Sequence, residues 1–185
     1  MPERELVALT LQGTLPAFRV IVERTEKLVI HIISGLVPGR EDQEDLTQET
    51  FLKAFQHLRH FQFDAKLSTW IARIAYNTCV SHLRKKKIPL SYGNEVADMS
   101  TPDNGTDPFS QLTEKVVVEI LQEAIDRLQP LHKTLITLFH QEALSITEIS
   151  HITGLPEGTV KSYLYRARRD LRDFLLITYK NREAL

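Results

Sequence analysis

A cluster of basic and polar side chains in residues 158–169, GTVKSYLYRARR, has the composition and spacing of a nucleic-acid contact. A helix that enters the major groove of DNA needs small residues in its first turn and one face of side chains that reach the bases. Gly158 and Thr159 supply that first turn. The pattern predicts base contacts from Lys161, Ser162, Tyr163 and Arg166, and phosphate contacts from Arg168, Arg169 and Arg172.

The residues that precede this cluster predict how it is positioned. Gly154 stands where a helix end is expected and Pro156 stands in the first turn of the next helix, so two helices, near 146–153 and 156–177, are joined by a tight turn. Such a pair is a helix-turn-helix whose second helix carries the basic residues. The charges alone would fit a solvated cationic helix equally well, and the turn favours DNA binding.

A second polar stripe contains the single tryptophan of the chain. Its helix is predicted to begin near Ser68, a suitable N-cap, with apolar core positions at spacings of three and four. The neighbouring stripe consists of Trp70, Arg73, Asn77, Ser81 and Arg84. Stacking of an unpaired base on an aromatic ring contributes about 1–3 kcal/mol, so this stripe suits single-stranded DNA. A half-buried packing role is the alternative for the tryptophan.

A third cluster is acidic and precedes the tryptophan helix. Asp45, Gln48 and Glu49 lie in EDQEDLTQETFLKAFQHL, residues 41–58, which predicts a helix with acidic residues in its first turns. Their spacing of three and four places them on one face. By itself this face would be interpreted as solvated. Phe51, Phe55 and Leu58 are predicted to be core residues of the same helical region.

Charge and composition divide the 185 residues into three segments. Residues 1–90 carry 13 Lys and Arg against 10 Asp and Glu, residues 91–112 carry none against four, and residues 113–185 carry ten of each. The middle segment, rich in Pro, Gly, Ser and Asn, is predicted to be a flexible acidic linker. Helical periodicity on both sides predicts an all-α protein of two small helical domains, 1–90 and 113–185, with further helices near 113–128 and 131–143.

Three stretches, taken in order, resemble the extracytoplasmic-function (ECF, group IV) sigma factors of bacterial RNA polymerase. They are DQEDLTQETFLKAF, STWIARIAYNTCVSHLRKKK and LSITEISHITGLPEGTVKSYLYRARRDL. Members of that family have two conserved domains, called regions two and four, so the resemblance implies region two in residues 1–90 and region four in residues 113–185. It also implies a sigma factor that directs transcription initiation in a stress or envelope response, without a catalytic site, cofactor or metal.

The resemblance assigns roles to individual residues and implies three partners: core RNA polymerase, promoter DNA and an anti-sigma factor. The polymerase contact would be made by Asp45, Gln48 and Glu49. The minus-ten promoter element would be contacted by Phe61, Phe63, Lys66, Trp70, Arg73, Asn77 and Arg84. The minus-thirty-five element would be contacted by Thr159, Lys161, Ser162, Tyr163, Arg166, Arg168 and Arg169. Tyr163 stands where the family often has arginine, and Ser150 and His151 replace alanines, so base preference does not follow from the family.

Two other classes of function are consistent with parts of the sequence. A stand-alone helix-turn-helix regulator that dimerises on DNA explains the second half but neither the tryptophan stripe nor the acidic face. An enzyme could use His57 and His60 as metal ligands, although exposed histidines are the simpler interpretation. The single cysteine, Cys79, is predicted to be a packing residue in a reducing cytoplasm, and no apolar run reaches the length of a membrane span.

Overall fold

The computed structural model describes residues 1–90 and 114–183. Within them the chain is helical and contains no strand, in agreement with the predicted all-α class. The helices are α1 (Glu3–Leu11), α2 (Leu15–Leu36), α3 (Arg40–His57), α4 (Leu67–Lys85), α5 (Glu114–Asp126), α6 (Pro130–Ile136), α7 (Ile146–Thr153) and α8 (Glu157–Glu183). The predicted linker, 91–112, lies outside the described residues.

Helix α4 is the centre of the first half and packs against both α2 and α3. Its side chains Ile71, Ala72, Ala75 and Cys79 have no exposed surface. Burial raises the pKa of the Cys79 thiol to about 12, so this side chain packs as a small apolar group. The predicted packing role of the cysteine is therefore confirmed. Because α4 is fixed on two sides by its neighbours, the residues on its outer face have a rigid support.

The start of α4 differs from the prediction. The helix begins at Leu67 with Lys66 as the N-cap residue, and no side chain of the cap accepts a hydrogen bond there. Instead the Glu3 carboxylate of α1 accepts from the Leu67 backbone N–H at 3.3 Å. An acceptor from a distant helix replaces the predicted local cap at Ser68, and it attaches α1 to the end of α4 that carries the tryptophan.

The second half contains the predicted helix-turn-helix. Ser145 and Glu148 form a reciprocal capping box at the start of α7, and Gly154 ends that helix with a φ of 73°, a left-handed conformation that glycine adopts without strain. Helix α8 then begins at Glu157. Helix α6 continues into a single π-helical turn, Thr137–Gln141, so the predicted helix near 131–143 is interrupted in its last part.

The two halves share one hydrophobic core. Helix α2 packs on α6 and α4 packs on α7, so the cluster of buried apolar side chains runs from the first half into the second without interruption. In the described part of the chain, no helix has the length and apolar character needed to cross a membrane.

Candidate nucleic-acid interface

A surface cavity lies beside the N-terminal half of α4. Its walls are formed by His60, Phe61, Gln62, Asp64, Ala65, Thr69, Trp70, Arg73 and His151. The ring centroids of Phe61 and Trp70 are 5.4 Å apart, and Trp70 is half-buried while Arg73 is exposed at the rim. Among residues 1–90 and 114–183, the buried Thr69 hydroxyl has no hydrogen-bond partner. An aromatic wall, an unsatisfied hydroxyl and a cation around one cavity can hold a planar polar ring such as a nucleobase.

The loop before α4 forms the other side of this cavity. Phe61 is 7% exposed, so it contributes an aromatic wall rather than a projecting side chain. Phe63 follows with a φ of 60°, a left-handed conformation that is costly for a phenylalanine. Its ring packs 4.6 Å from that of Phe61, and the Arg4 guanidinium lies 4.8 Å from its centroid. These contacts hold the loop in its strained conformation next to the tryptophan.

Two residues predicted to act with Trp70 lie further along α4. Asn77 and Arg84 are exposed on the helix surface and are not among the residues that form the cavity. A separation of seven residues corresponds to about 10 Å along a helix. Asn77 therefore lies outside this cavity, and its contact with the minus-ten element stays a prediction. Asn77 and Arg84 extend an exposed polar path along α4 from the cavity to the basic residues at the end of the helix.

Helix α8 presents a mixed face that suits contact with DNA. Lys161, Arg168 and Arg169 are exposed, while Thr159 and Ser162 are partly exposed. The Ser162 hydroxyl donates to the Gly158 carbonyl at 2.9 Å, so in this state it is used within the helix. The Arg168 guanidinium lies 5.2 Å from the centroid of the Phe139 ring and donates to the His140 ring at 3.3 Å, so this cation packs against the π-helical turn that follows α6.

Tyr163 is the one predicted base-contacting residue on α8 that the structure buries. Its side chain is 5% exposed, and its ring lies 5.5 Å from that of His132 on α6. With Val160, Leu164 and Ala167 it forms a helical i, i+3, i+4, i+7 stripe, so it belongs to the core face. The prediction that Tyr163 reads bases is corrected, and Arg166, which is half-buried with its guanidinium 5.8 Å from the Tyr163 centroid, lies at the edge of the exposed face.

The acidic cluster lies on the exposed surface of α3, and at Glu49 this surface borders α4, because the Lys53 ammonium that pairs with Glu49 also donates to the Thr78 hydroxyl of α4 at 3.2 Å. Asp45, Gln48 and Glu49 are all exposed. Glu49 pairs with Lys53 at 2.7 Å, and Gln48 lines a groove between α2 and α3 in which Ile30 is 43% exposed. This face combines acidic and apolar groups, as protein-binding surfaces do.

Comparison with known proteins identifies the family of this chain. The model of the Sigma-70 region 2 family matches residues 21–88, and that of Sigma-70, region 4 matches residues 118–171. The ECF RNA polymerase sigma factor SigW of Bacillus subtilis is 31% identical over 172 residues, which cover 87% of this chain and 90% of that protein. The chain belongs to the ECF RNA polymerase sigma factors. It is a sigma factor that directs transcription initiation, and the stand-alone regulator is not supported.

Further relatives agree with the assignment of this sigma factor. The ECF RNA polymerase sigma-E factor of Haemophilus influenzae is 30% identical over 181 residues, with 91% of this chain and 92% of that protein covered. Among solved structures, CnrH in complex with the cytosolic domain of CnrY has a TM-score of 0.64 at 20% identity and covers 94% of this chain and 96% of that chain. The sigma factor RpoE of Bartonella quintana, solved with the anti-sigma factor NepR, has a TM-score of 0.64 at 22% identity, covering 86% and 97%. The fold is therefore shared with solved sigma factors.

Two features of this sigma factor were missed or misjudged from the sequence. The capping box at the start of α7 is visible as Ser145 followed three residues later by Glu148. Phe55, predicted to be core, is 41% exposed, and its ring packs edge-on against Phe18 at 5.0 Å.

The two histidines with metal-ligand spacing, His57 and His60, are exposed, as the simpler interpretation expected. Their ring centroids lie 6.2 Å apart, and no group of three or more ligand side chains forms among the described residues.

The groups around Glu148 lower the pKa of its carboxyl group. The Lys66 ammonium donates to this carboxylate at 2.8 Å and the Ser145 backbone N–H donates at 2.9 Å, which together lower the pKa of Glu148 from 4.5 to about 2. The stabilisation is therefore fully present above pH 4.5 and is lost as the pH falls through about 2. Carbon-detected NMR of the Glu148 side chain should show this low midpoint, and Lys66→Gln should raise it. A midpoint near 4.5 in the unaltered protein would contradict both contacts.

Proposed function

We propose that this sigma factor binds core RNA polymerase through the outer face of α3, opens the minus-ten element with α4 and contacts the minus-thirty-five element with α8. The observation that carries the proposal is the cavity beside Trp70, because an aromatic wall with a polar floor and a cationic rim is suited to an unstacked base. A helix face that only contacts solvent would not need such a cavity. Asn77 and Arg84 would then follow the strand along α4.

The minus-thirty-five contact is assigned to exposed residues of α8. Lys161 and Ser162 lie on successive positions after the glycine of the first turn, and Arg166 lies at the edge of the same face. Arg168 and Arg169 would contact the flanking phosphates. Binding to phosphates depends mainly on the positive charge of the side chain and less on the direction of its hydrogen bonds. Tyr163 supports this face from below by packing on α6, so it would affect DNA binding only through the position of α8.

Partners and class follow from the family and from the two matched regions. We assign the chain to group IV because residues 89–117 between the two regions leave little room for another sigma domain. An anti-sigma factor is a further proposed partner, since the related structures of CnrH and RpoE were solved with CnrY and NepR bound. We also place the protein in the cytoplasm, assign it to a stress or envelope response, and expect it to act by binding rather than by catalysis.

Run-off transcription with core polymerase on a library of promoters is the direct test. Transcripts that begin only when the chain is added would support the proposal and reveal the two recognised elements. A pull-down without DNA separates the functions, because a sigma factor binds core polymerase in the absence of promoter. Retention of DNA binding with no binding to core polymerase would overturn the proposal.

A further inference from the structure

The first turn of α1 contacts the helical turn that carries the tryptophan. The two oxygens of the Glu3 carboxylate lie 3.3 and 3.4 Å from the backbone nitrogen of Leu67 and accept its hydrogen. Leu67 is the first residue of α4, where backbone N–H groups have no partner within the helix, and Trp70 follows three residues later. The Glu3 carboxylate therefore fixes the turn from which Trp70 enters the cavity wall.

The next residue of α1 supports the loop on the other side of the cavity. The Arg4 guanidinium lies 4.8 Å from the centroid of the Phe63 ring, whose centroid lies 4.6 Å from that of Phe61. The Phe61 ring in turn lies 5.4 Å from Trp70, so one cation and three aromatic rings form a row from α1 to the cavity. Phe63 has a φ of 60°, a conformation that persists in a phenylalanine only where surrounding contacts hold it.

Neither contact is needed to attach α1 to the protein. Leu6 and Val7 are 1% and 3% exposed and belong to the hydrophobic core, so they anchor the helix. Glu3 and Arg4 are exposed, and their contacts are with α4 and with the loop before it. Helix α1 also lies before residue 21, where the matched Sigma-70 region 2 begins. Its polar first turn can therefore change without loss of the apolar contacts that hold α1.

We infer that Glu3 and Arg4 are positioning residues for base selection at the minus-ten element: they hold the first turn of α4 and the 61–66 loop at a fixed separation across the cavity. The role in base selection rests on the proposed function, whereas the support of the cavity does not. Neither side chain forms the cavity, so both act through the residues that they contact. A cavity whose walls are held in place discriminates between bases better than one whose walls move, because a wrong base then leaves buried polar groups unpaired.

Amide hydrogen exchange of the full-length free chain tests the Glu3 contact without DNA or polymerase. Glu3→Ala should speed exchange of the Leu67 N–H roughly fivefold, because the loss of a helix cap lowers local stability by about that factor. Glu3→Gln keeps a side-chain acceptor and should restore most of the protection. Glu5→Ala is the matched control, since Glu5 is exposed in the same first turn of α1. NMR of the Leu67 amide gives the exchange rate.

Acrylamide quenching of Trp70, the single tryptophan, tests the support of the cavity as a whole. Glu3→Ala combined with Arg4→Ala should raise the quenching constant roughly twofold, because the loop and the helical turn beside the indole lose their support. Glu5→Ala combined with Arg19→Ala removes the same two residue types from exposed positions and should leave the quenching unchanged. Circular dichroism of each variant shows that its helices remain folded.

Base selectivity is the measurement that a purely structural role would leave unchanged. With core polymerase, we compare transcripts from the recognised minus-ten element with transcripts from single-base substitutions of that element. The ratio should fall roughly fivefold in the chain with Glu3→Ala and Arg4→Ala, since both variants loosen the walls that exclude a wrong base. Affinity for core polymerase should equal that of the control pair.

The outcomes separate this inference from the proposed function. If exchange at Leu67 and quenching of Trp70 in the test variants stay at the levels of their controls, the support of the cavity by α1 is overturned. If both measurements change but the unaltered chain gives no polymerase-dependent transcript, the proposed function fails and the support of the cavity stands. If the unaltered chain is active and the test pair keeps its full base selectivity, the role in base selection is overturned.

Discussion

Asp45→Lys combined with Glu49→Lys is expected to lower the affinity of the chain for core RNA polymerase by at least about 100-fold, because leaving a buried partner charge unpaired costs about 2–5 kcal/mol and each 1.4 kcal/mol is tenfold. Both carboxylates lie on the exposed face of α3. Reversal places two cations where the proposed contact requires acids. Binding of labelled chain to core polymerase, measured at fixed salt by fluorescence anisotropy, gives the affinity.

The single variants make this test sharper. Glu49 already pairs with Lys53, so its reversal places two lysines four residues apart, a change that costs only about 0.2–0.5 kcal/mol in a helix. Asp45 makes the cleaner single variant, since no ion pair is recorded for it among residues 1–90 and 114–183. Glu123→Lys on α5 reverses an exposed charge in the second half and is the matched control. Near-native affinity of the double variant would refute the assignment of this face.

Local signals in the sequence predicted most of the fold. The apolar periodicity of α4, the glycine that ends α7 and the proline that precedes α8 each depend on neighbouring residues only, and each appears where it was expected. The cap of α4 was not predictable in this way. Its acceptor is Glu3, 64 residues away in the chain, and no spacing rule connects them.

Side-chain exposure was predicted less well than helix position. Tyr163 was assigned to DNA by its place near the start of the basic helix, yet its register with Val160 and Ala167 already placed it on the core stripe. Phe55 shows the opposite error, because it was assigned to the core and is 41% exposed. In both cases the angular position of the residue on its helix was given too little weight.

The contact between the halves could not be predicted from the sequence at all. Gly35 allows α2 to lie close to Thr134 of α6, a contact between residues 99 positions apart that no local pattern predicts. Lys66 and Glu148 are separated by a segment that contains no pattern linking the two halves. Long-range pairs of this kind depend on how two independently predictable helical units pack, which composition and periodicity do not determine.

Trp70→Ala combined with Asn77→Ala is expected to reduce melting of duplex promoter DNA roughly tenfold or more, because a stacked base contributes about 1–3 kcal/mol and both residues lie on the proposed path of the strand. Trp70 forms the cavity wall against Phe61, and Asn77 is exposed two turns further along α4. Permanganate reactivity of thymines at the minus-ten element measures the opened fraction. Binding to a promoter that is already mismatched open should fall less, since that template needs no unstacking by the protein.

A loss of packing has to be separated from a loss of base contact, because Trp70 is half-buried and packs against the core. Val80→Ala removes methyl groups from another partly buried position of α4 that does not line the cavity. If the double variant loses melting on duplex DNA while Val80→Ala retains it at similar thermal stability, the tryptophan cavity holds the unpaired strand. Equal losses on duplex and pre-opened templates would show instead that Trp70 and Asn77 only support α4, and the assignment of the minus-ten contact to this face would be wrong.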